Sequence, residues 1–282
     1  MDLLPALARA FEDYRRNLQF IIPHLIKYLI SLVAVALLAL GLIASIGPTL
    51  LTPEGLERLF LGQEIPFGAI FAIIFGLLAF VLLYALLDAA ARGAVIAMAR
   101  ESSLTGITSL ATGLMGARQF WLSIFAYNLF LTVAVFGIAI FALVPLFLGG
   151  YGAAFIALFF AMILMAVLYA FTFSTPQFLV ITEGSLLEGM KGAVDFFRRR
   201  YHSILGYGAV AALLYTFLLT VLQASITLQG LEEWSAQIFQ YVYWALMDLI
   251  LAPYFEMVKT YMAVREATSP SAASSPPPPP GG

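Results

Sequence analysis

Asp248 is the residue in this chain best placed to do chemistry. It lies about ten residues past the outer start of a long apolar run, so at 1.5 Å per residue it should sit about 15 Å deep, near the middle of a bilayer. An ionisable group at that depth is costly and marks a functional candidate. Pro253, five residues on, removes one helical hydrogen bond and should kink the helix there. A carboxyl beside a kink could bind a cation or carry a proton; the plain alternative is a packing residue satisfied by Tyr241, Tyr243, Asn128 or Ser225. Glu256, in the inner half of the same run, and Arg92, at similar depth on another, are expected to pair, in a structural rather than a catalytic role. Asn128 should hydrogen-bond between helices, and Asp88 should reach the inner interface with no special role. His24 and His202 stand at the inner entries to two apolar runs, where interfacial side chains are expected rather than metal ligands.

No further chemistry is legible. The chain has no cysteine, which excludes disulfides and thiolate chemistry. No GxSxG elbow, P-loop, HExxH helix or dinucleotide fingerprint occurs, and no single element carries a pair of carboxylates set for acid–base work. A non-enzymatic protein with no cofactor and no metal is expected.

The elements that must position these residues follow from composition. Of 282 residues, 62% are hydrophobic and 11% charged, where a soluble domain carries about 25% charged residues. A soluble fold of this length could not hide so much apolar surface. Composition therefore excludes a soluble enzyme, a disordered protein and a nucleic-acid-binding domain, and the net charge of -2 gives no pull toward polyanions. Six runs are long enough to cross a bilayer, at about 25–46, 67–87, 120–148, 151–175, 204–223 and 238–262, with the fourth beginning after a turn at Gly149-Gly150. Backbone groups cannot be hydrated in lipid, so the runs must be helical, and the fold is all-α. The charged N-terminus does not read as a secretory signal peptide.

Every basic residue except Arg58 falls on one face, and the positive-inside rule makes that face cytoplasmic, with both termini inside a cell membrane. The cytoplasmic segments that precede the odd-numbered spans resemble one another. Ser109-Leu110, Gly113, Gly116-Ala117 and Phe120 recur 76 residues later as Ser185-Leu186, Gly189, Gly192-Ala193 and Phe196. The N-terminus fits the same frame at Asp2-Leu3, Ala6, Ala10 and Tyr14, and even-numbered spans end on Arg100-Glu101, Thr182-Glu183 and Arg265-Glu266. These matches predict three pseudo-repeats, about 1–103, 104–184 and 185–267, each an amphipathic interfacial helix followed by a helical hairpin.

In the third segment Leu186, Leu187, Met190, Val194 and Phe197 share one face, and Ser185 with Glu188 forms a capping box. Such helices lie in the membrane interface. Arg198, Arg199 and Arg200 are candidates to contact anionic lipid, with a topology signal that snorkels as the plainer alternative. A short helix from Thr52 through Phe60 is expected on the outer face. Residues 268–282, rich in Ser and Pro, should form a disordered cytoplasmic tail.

The pattern from Ser185-Leu186-Leu187-Glu188-Gly189 through Arg198-Arg199-Arg200, with the repeat around it, resembles the membrane domain that precedes the catalytic domain in some glycerophosphodiester phosphodiesterases. It is also similar to standalone six-span prokaryotic proteins of unknown function. The resemblance spans about residues 1–267 and implies an all-α membrane domain, without activity or catalytic residues. Two functions remain open. One is a non-catalytic scaffold or accessory subunit that organises membrane lipids or a protein partner at the cytoplasmic face. The other is a transporter or channel with Asp248 on its pathway. Carriers often contain repeats, but they also carry discontinuous spans and several polar groups at the midplane, and here there is one acid. The scaffold reading is therefore preferred at this level. Nucleic acid is not an expected partner, and oligomeric state is not encoded legibly.

Overall fold

A computed structural model describes residues 2–46, 67–229 and 233–268. The expected short helix from Thr52 and the Ser/Pro-rich tail lie outside these. The described chain is all-helical: α1 (Leu3–Arg16), a 3-10 turn (Leu18–Ile21), α2 (Ile22–Ile46), α3 (Phe67–Thr105), α4 (Leu110–Thr172), α5 (Thr175–Thr182), α6 (Leu186–Gln229) and α7 (Glu233–Ala267). Six stretches are long and apolar enough to span a membrane, as expected for chains whose backbone must satisfy itself in lipid.

Helix α4 runs through the expected turn at Gly149-Gly150. Helical bonding is continuous from Leu110 to Thr172, yet the segment is not straight. The Tyr127 hydroxyl donates to the carbonyl of Thr172, 45 residues on, at 2.7 Å, whereas a straight helix would hold them roughly 65 Å apart. The segment therefore folds back on itself and supplies the third and fourth spans.

The six spans pack tightly at one end only, the end that carries Asp2 and Thr268. There Val95, Met98, Phe178, Phe196, Met257, Tyr261 and Met262 are buried in one cluster. At the other end Phe71 to Leu82, Leu129 to Phe141, Phe155 to Val167 and Leu213 to Leu228 expose large apolar side chains, a surface suited to lipid tails. The bundle is thus a lipid-facing layer set on a packed base.

The base is knitted by three packings of one kind. Helix α1 lies on α7: Ala6 and Ala10 are fully buried, Tyr254 donates to the Leu7 carbonyl at 3.2 Å and Tyr261 to Asp13 at 2.6 Å. The start of α4 lies on α3, where a Cβ at Gly116 would meet Ala97 and come within 3.0 Å of the Gly93 carbonyl oxygen. The start of α6 lies on α5, where a Cβ at Gly189 would come within 3.1 Å of the Thr175 carbonyl oxygen. The face turned to the bundle is therefore the small-residue face, Gly189, Ala193 and Phe196 in α6. Leu187, from the expected apolar stripe, is exposed on another side of the helix. Small residues win the inner face because only they let two helix backbones approach this closely. The capping box forms as expected: Ser185 N–H donates to Glu188 at 2.6 Å, and Glu188 N–H donates to the Ser185 hydroxyl at 3.4 Å.

Gly116→Val should lower stability by about 1–3 kcal/mol, since the added methyls meet backbone at the α3–α4 crossing. Gly208→Ala, where nothing lies within 4 Å of an added Cβ, serves as the control. Thermal unfolding in detergent checks the pair: equal midpoints for the two variants would refute close contact at this crossing.

Candidate functional site

Where the lipid-facing layer meets the packed base, charged side chains from three helices converge. The Lys27 ammonium of α2, almost wholly buried, bonds Asp88 of α3 at 3.1 Å and Asp248 of α7 at 3.0 Å. The Tyr28 hydroxyl donates to the same Asp248 oxygen, Oδ2, at 2.5 Å. Lys27 also stands 4.6 Å from the centre of the Tyr28 ring and 5.2 Å from that of Tyr84, a cation–π setting that helps to hold a buried ammonium. This cluster has two carboxylates and one cation.

A second cluster lies eight residues further along α7. Glu256 accepts from Arg92 Nε at 3.1 Å, Lys259 Nζ at 2.7 Å and Gln177 Nε2 at 2.5 Å, and Arg92 also donates to Asn128 at 3.1 Å. This cluster has two cations and one carboxylate, so its excess charge is opposite to that of the first. Between the two, the buried His24 ring is within electrostatic reach of Lys27, Asp88, Asp248 and Glu256. Neither of its nitrogens has a hydrogen-bond partner among the described residues.

The fourth span breaks at this level. After Thr172 the chain leaves the helix at Phe173-Ser174 and restarts as α5, with Pro176 in its first turn. The restart carries Gln177 to Glu256, and Tyr127 captures the carbonyl freed at Thr172. The Ser174 and Thr175 hydroxyls and Gln177 Oε1 are buried and unpartnered among the described residues.

The sequence-derived candidates fare unevenly. Arg92, Glu256 and Asn128 meet as a group, with the expected Arg92–Glu256 pair. Asp248 is bonded by Lys27 and Tyr28, and none of the expected partners reaches it: Tyr243 donates to the Leu218 carbonyl, Asn128 serves Arg92, Ser225 bonds its own helix at Val221, and Tyr241 is exposed. Asp248 is level with Lys27, five residues past the start of α2. Asp88 bonds Lys27, and His24 is buried beside the cluster. Lys27 was missed because beside Tyr28 at the start of a span it reads as an ordinary topology cation. Of the candidate lipid contacts, Arg199 and Arg200 bond Glu266 at 3.5 and 3.0 Å, while Arg198 is exposed. The kink that separates the amphipathic part of α6 from its span falls at Arg200.

Outside the spans, the Tyr14 hydroxyl donates to the Ile250 carbonyl at 2.8 Å. Burial pushes this phenol up to about 12, so it remains a donor at neutral pH and ties α1 to α7 just beyond Asp248.

Fold and site together define a multi-pass helical membrane protein with a charged interior at one end of its spans. Compared with known proteins, the chain matches no family model, no curated protein and no solved structure.

Proposed function

We propose that the protein is a membrane transporter, with Asp248, Lys27 and Asp88 on its pathway and the basic end of the bundle in the cytoplasm. The observation that supports this best is the broken fourth span beside the charged interior. The helix break at Phe173-Ser174 and the several charged groups within the bundle favour transport over a scaffold. A purely structural ion pair needs one partner for each charge and satisfied neighbours. Here one ammonium serves two carboxylates, the opposite imbalance lies about 12 Å away along α7, and the buried His24 ring has no hydrogen-bond partner among the described residues. Ionisable groups arranged so in a membrane mark solute or ion pathways. The ring of amphipathic segments, each on an even-numbered span, fits the threefold repeat and supplies a rigid base against which spans can move.

Accessibility to water tests the proposal, and the absence of cysteine makes the readout unambiguous. Single cysteines at Ala245 and Ala252, in α7 beside Asp248, are exposed to a membrane-impermeant thiol reagent in sealed vesicles, with the exposed Thr105→Cys as control. Labelling of Ala252→Cys from either side is expected. Protection of both positions while Thr105→Cys reacts would refute a pathway, and the scaffold reading would stand.

A further inference from the structure

A groove of about 480 Å³ opens between α6 and α7, walled by Ala211, Tyr215, Leu218, Trp244, Leu251 and Phe255, and Asp248 is the one charged residue that lines it. We propose that this groove binds a lipophilic organic cation, a monovalent cationic head on an apolar body, which is the substrate class of the transporter proposed above and enters sideways from the bilayer. The inference rests on that transport reading for its role but on the groove alone for its chemistry.

Four observations select this ligand. The volume lies in the range of small-molecule sites, and the wall is apolar with few polar groups, as such sites are. A small hydrophilic ion would leave nearly all of that wall unused. The single lining charge is negative, and it belongs to the cluster in which two carboxylates share one ammonium; a monovalent cation completes that count, whereas an anion would meet like charge. Both bonds to Asp248 fall on Oδ2, and Oδ1 makes none among the described residues. The balancing positive excess of Arg92 and Lys259 lies about 12 Å deeper, in the packed base and away from the groove. Finally, the wall holds aromatic faces: Tyr215 and Trp244 stack with centroids 5.1 Å apart at 17°. Aromatic faces beside a carboxylate attract organic cations by their ring quadrupoles, Trp most strongly.

Tetraphenylphosphonium, a permanent cation, is the probe, and triphenylphosphine oxide is its neutral comparator. Binding to the full chain is measured in nanodiscs of phosphatidylcholine, with empty discs subtracted. The cation should bind more tightly than the neutral compound, and Asp248→Asn should weaken the cation on the order of 30-fold while leaving the comparator unchanged. Removing the carboxylate from Lys27 could also unfold the protein, so Ala211→Phe, which fills the groove without touching the charged cluster, provides the second test. It should abolish binding of both compounds in a folded protein.

Equal binding of the two compounds, or cation binding indifferent to Ala211→Phe, would overturn the proposal. The two readings fail separately. Binding of the cation with Ala252→Cys protected would keep the site and remove transport. Labelling of Ala252→Cys without cation binding would keep the pathway and remove this substrate class.

Discussion

Glu256→Ala is expected to be the most damaging single substitution in the protein. Its carboxylate is buried and is bonded by Arg92, Lys259 and Gln177. Truncation leaves two cations in the packed base with no counter-charge, and breaking a buried pair in this way costs about 3–5 kcal/mol. For a chain of this size that is a drop of roughly 6–20 °C in the unfolding midpoint, read by circular dichroism in detergent. The charge argument is checked by the double variant Glu256→Gln with Lys259→Met, which removes the acid and one of its two cations together. It should regain about half of the loss, since only Arg92, still bonded to Asn128, is then left over. A double variant no better than Glu256→Ala would mean that shape, and not charge, sets the effect. A midpoint within 2 °C of wild type for Glu256→Ala would refute the buried cluster itself.

Lys27→Met is the second large effect. Its ammonium is the shared partner of Asp88 and Asp248. Methionine keeps the length and apolar stem of lysine but leaves two carboxylates facing each other. Both acids are partly open to the surface, so the expected loss is at the lower end of the buried-pair range, about 3 kcal/mol. Lys27→Met combined with Asp88→Asn leaves one carboxylate without a cation and should recover about half of that loss. This pair separates two views of the cluster. If it is only a structural clamp, the double variant should differ from wild type in stability alone. If Asp248 works on a pathway, binding of the cationic probe should be altered as well, because the charge that faces the groove no longer has its ammonium neighbour.

The residues involved explain what could and could not be read in advance. The Arg92–Glu256 pair was legible because both residues sit deep in apolar runs at matching distances from their inner ends, and two lone opposite charges in lipid have few alternatives to each other. The capping box of Ser185 and Glu188 was legible because all its partners lie within one helical turn. Lys27 was not, since a lysine near the start of a span is ordinary and snorkels in most proteins. Its partners are 61 and 221 residues away, and only the approach of α3 and α7 turns it inward. The break at Phe173-Ser174 was hidden for a related reason: the break carries no glycine, and Pro176 belongs to the first turn of the next helix, where proline is well tolerated.

Composition and periodicity alone determined that the chain is an all-helical membrane protein with six spans, because apolar runs of that length have no other way to satisfy their backbone in lipid. They also located the recurring small residues Gly113, Gly116-Ala117, Gly189 and Gly192-Ala193. The tertiary structure decided which partner each segment took and which polar residues met. Those outcomes depend on helix lengths and crossings between segments distant in the chain, and local spacing does not carry that information. A charge in a membrane is costly by itself and acceptable beside its opposite. Whether Lys27, His24 and Asp88 face water or one another was therefore settled by packing alone.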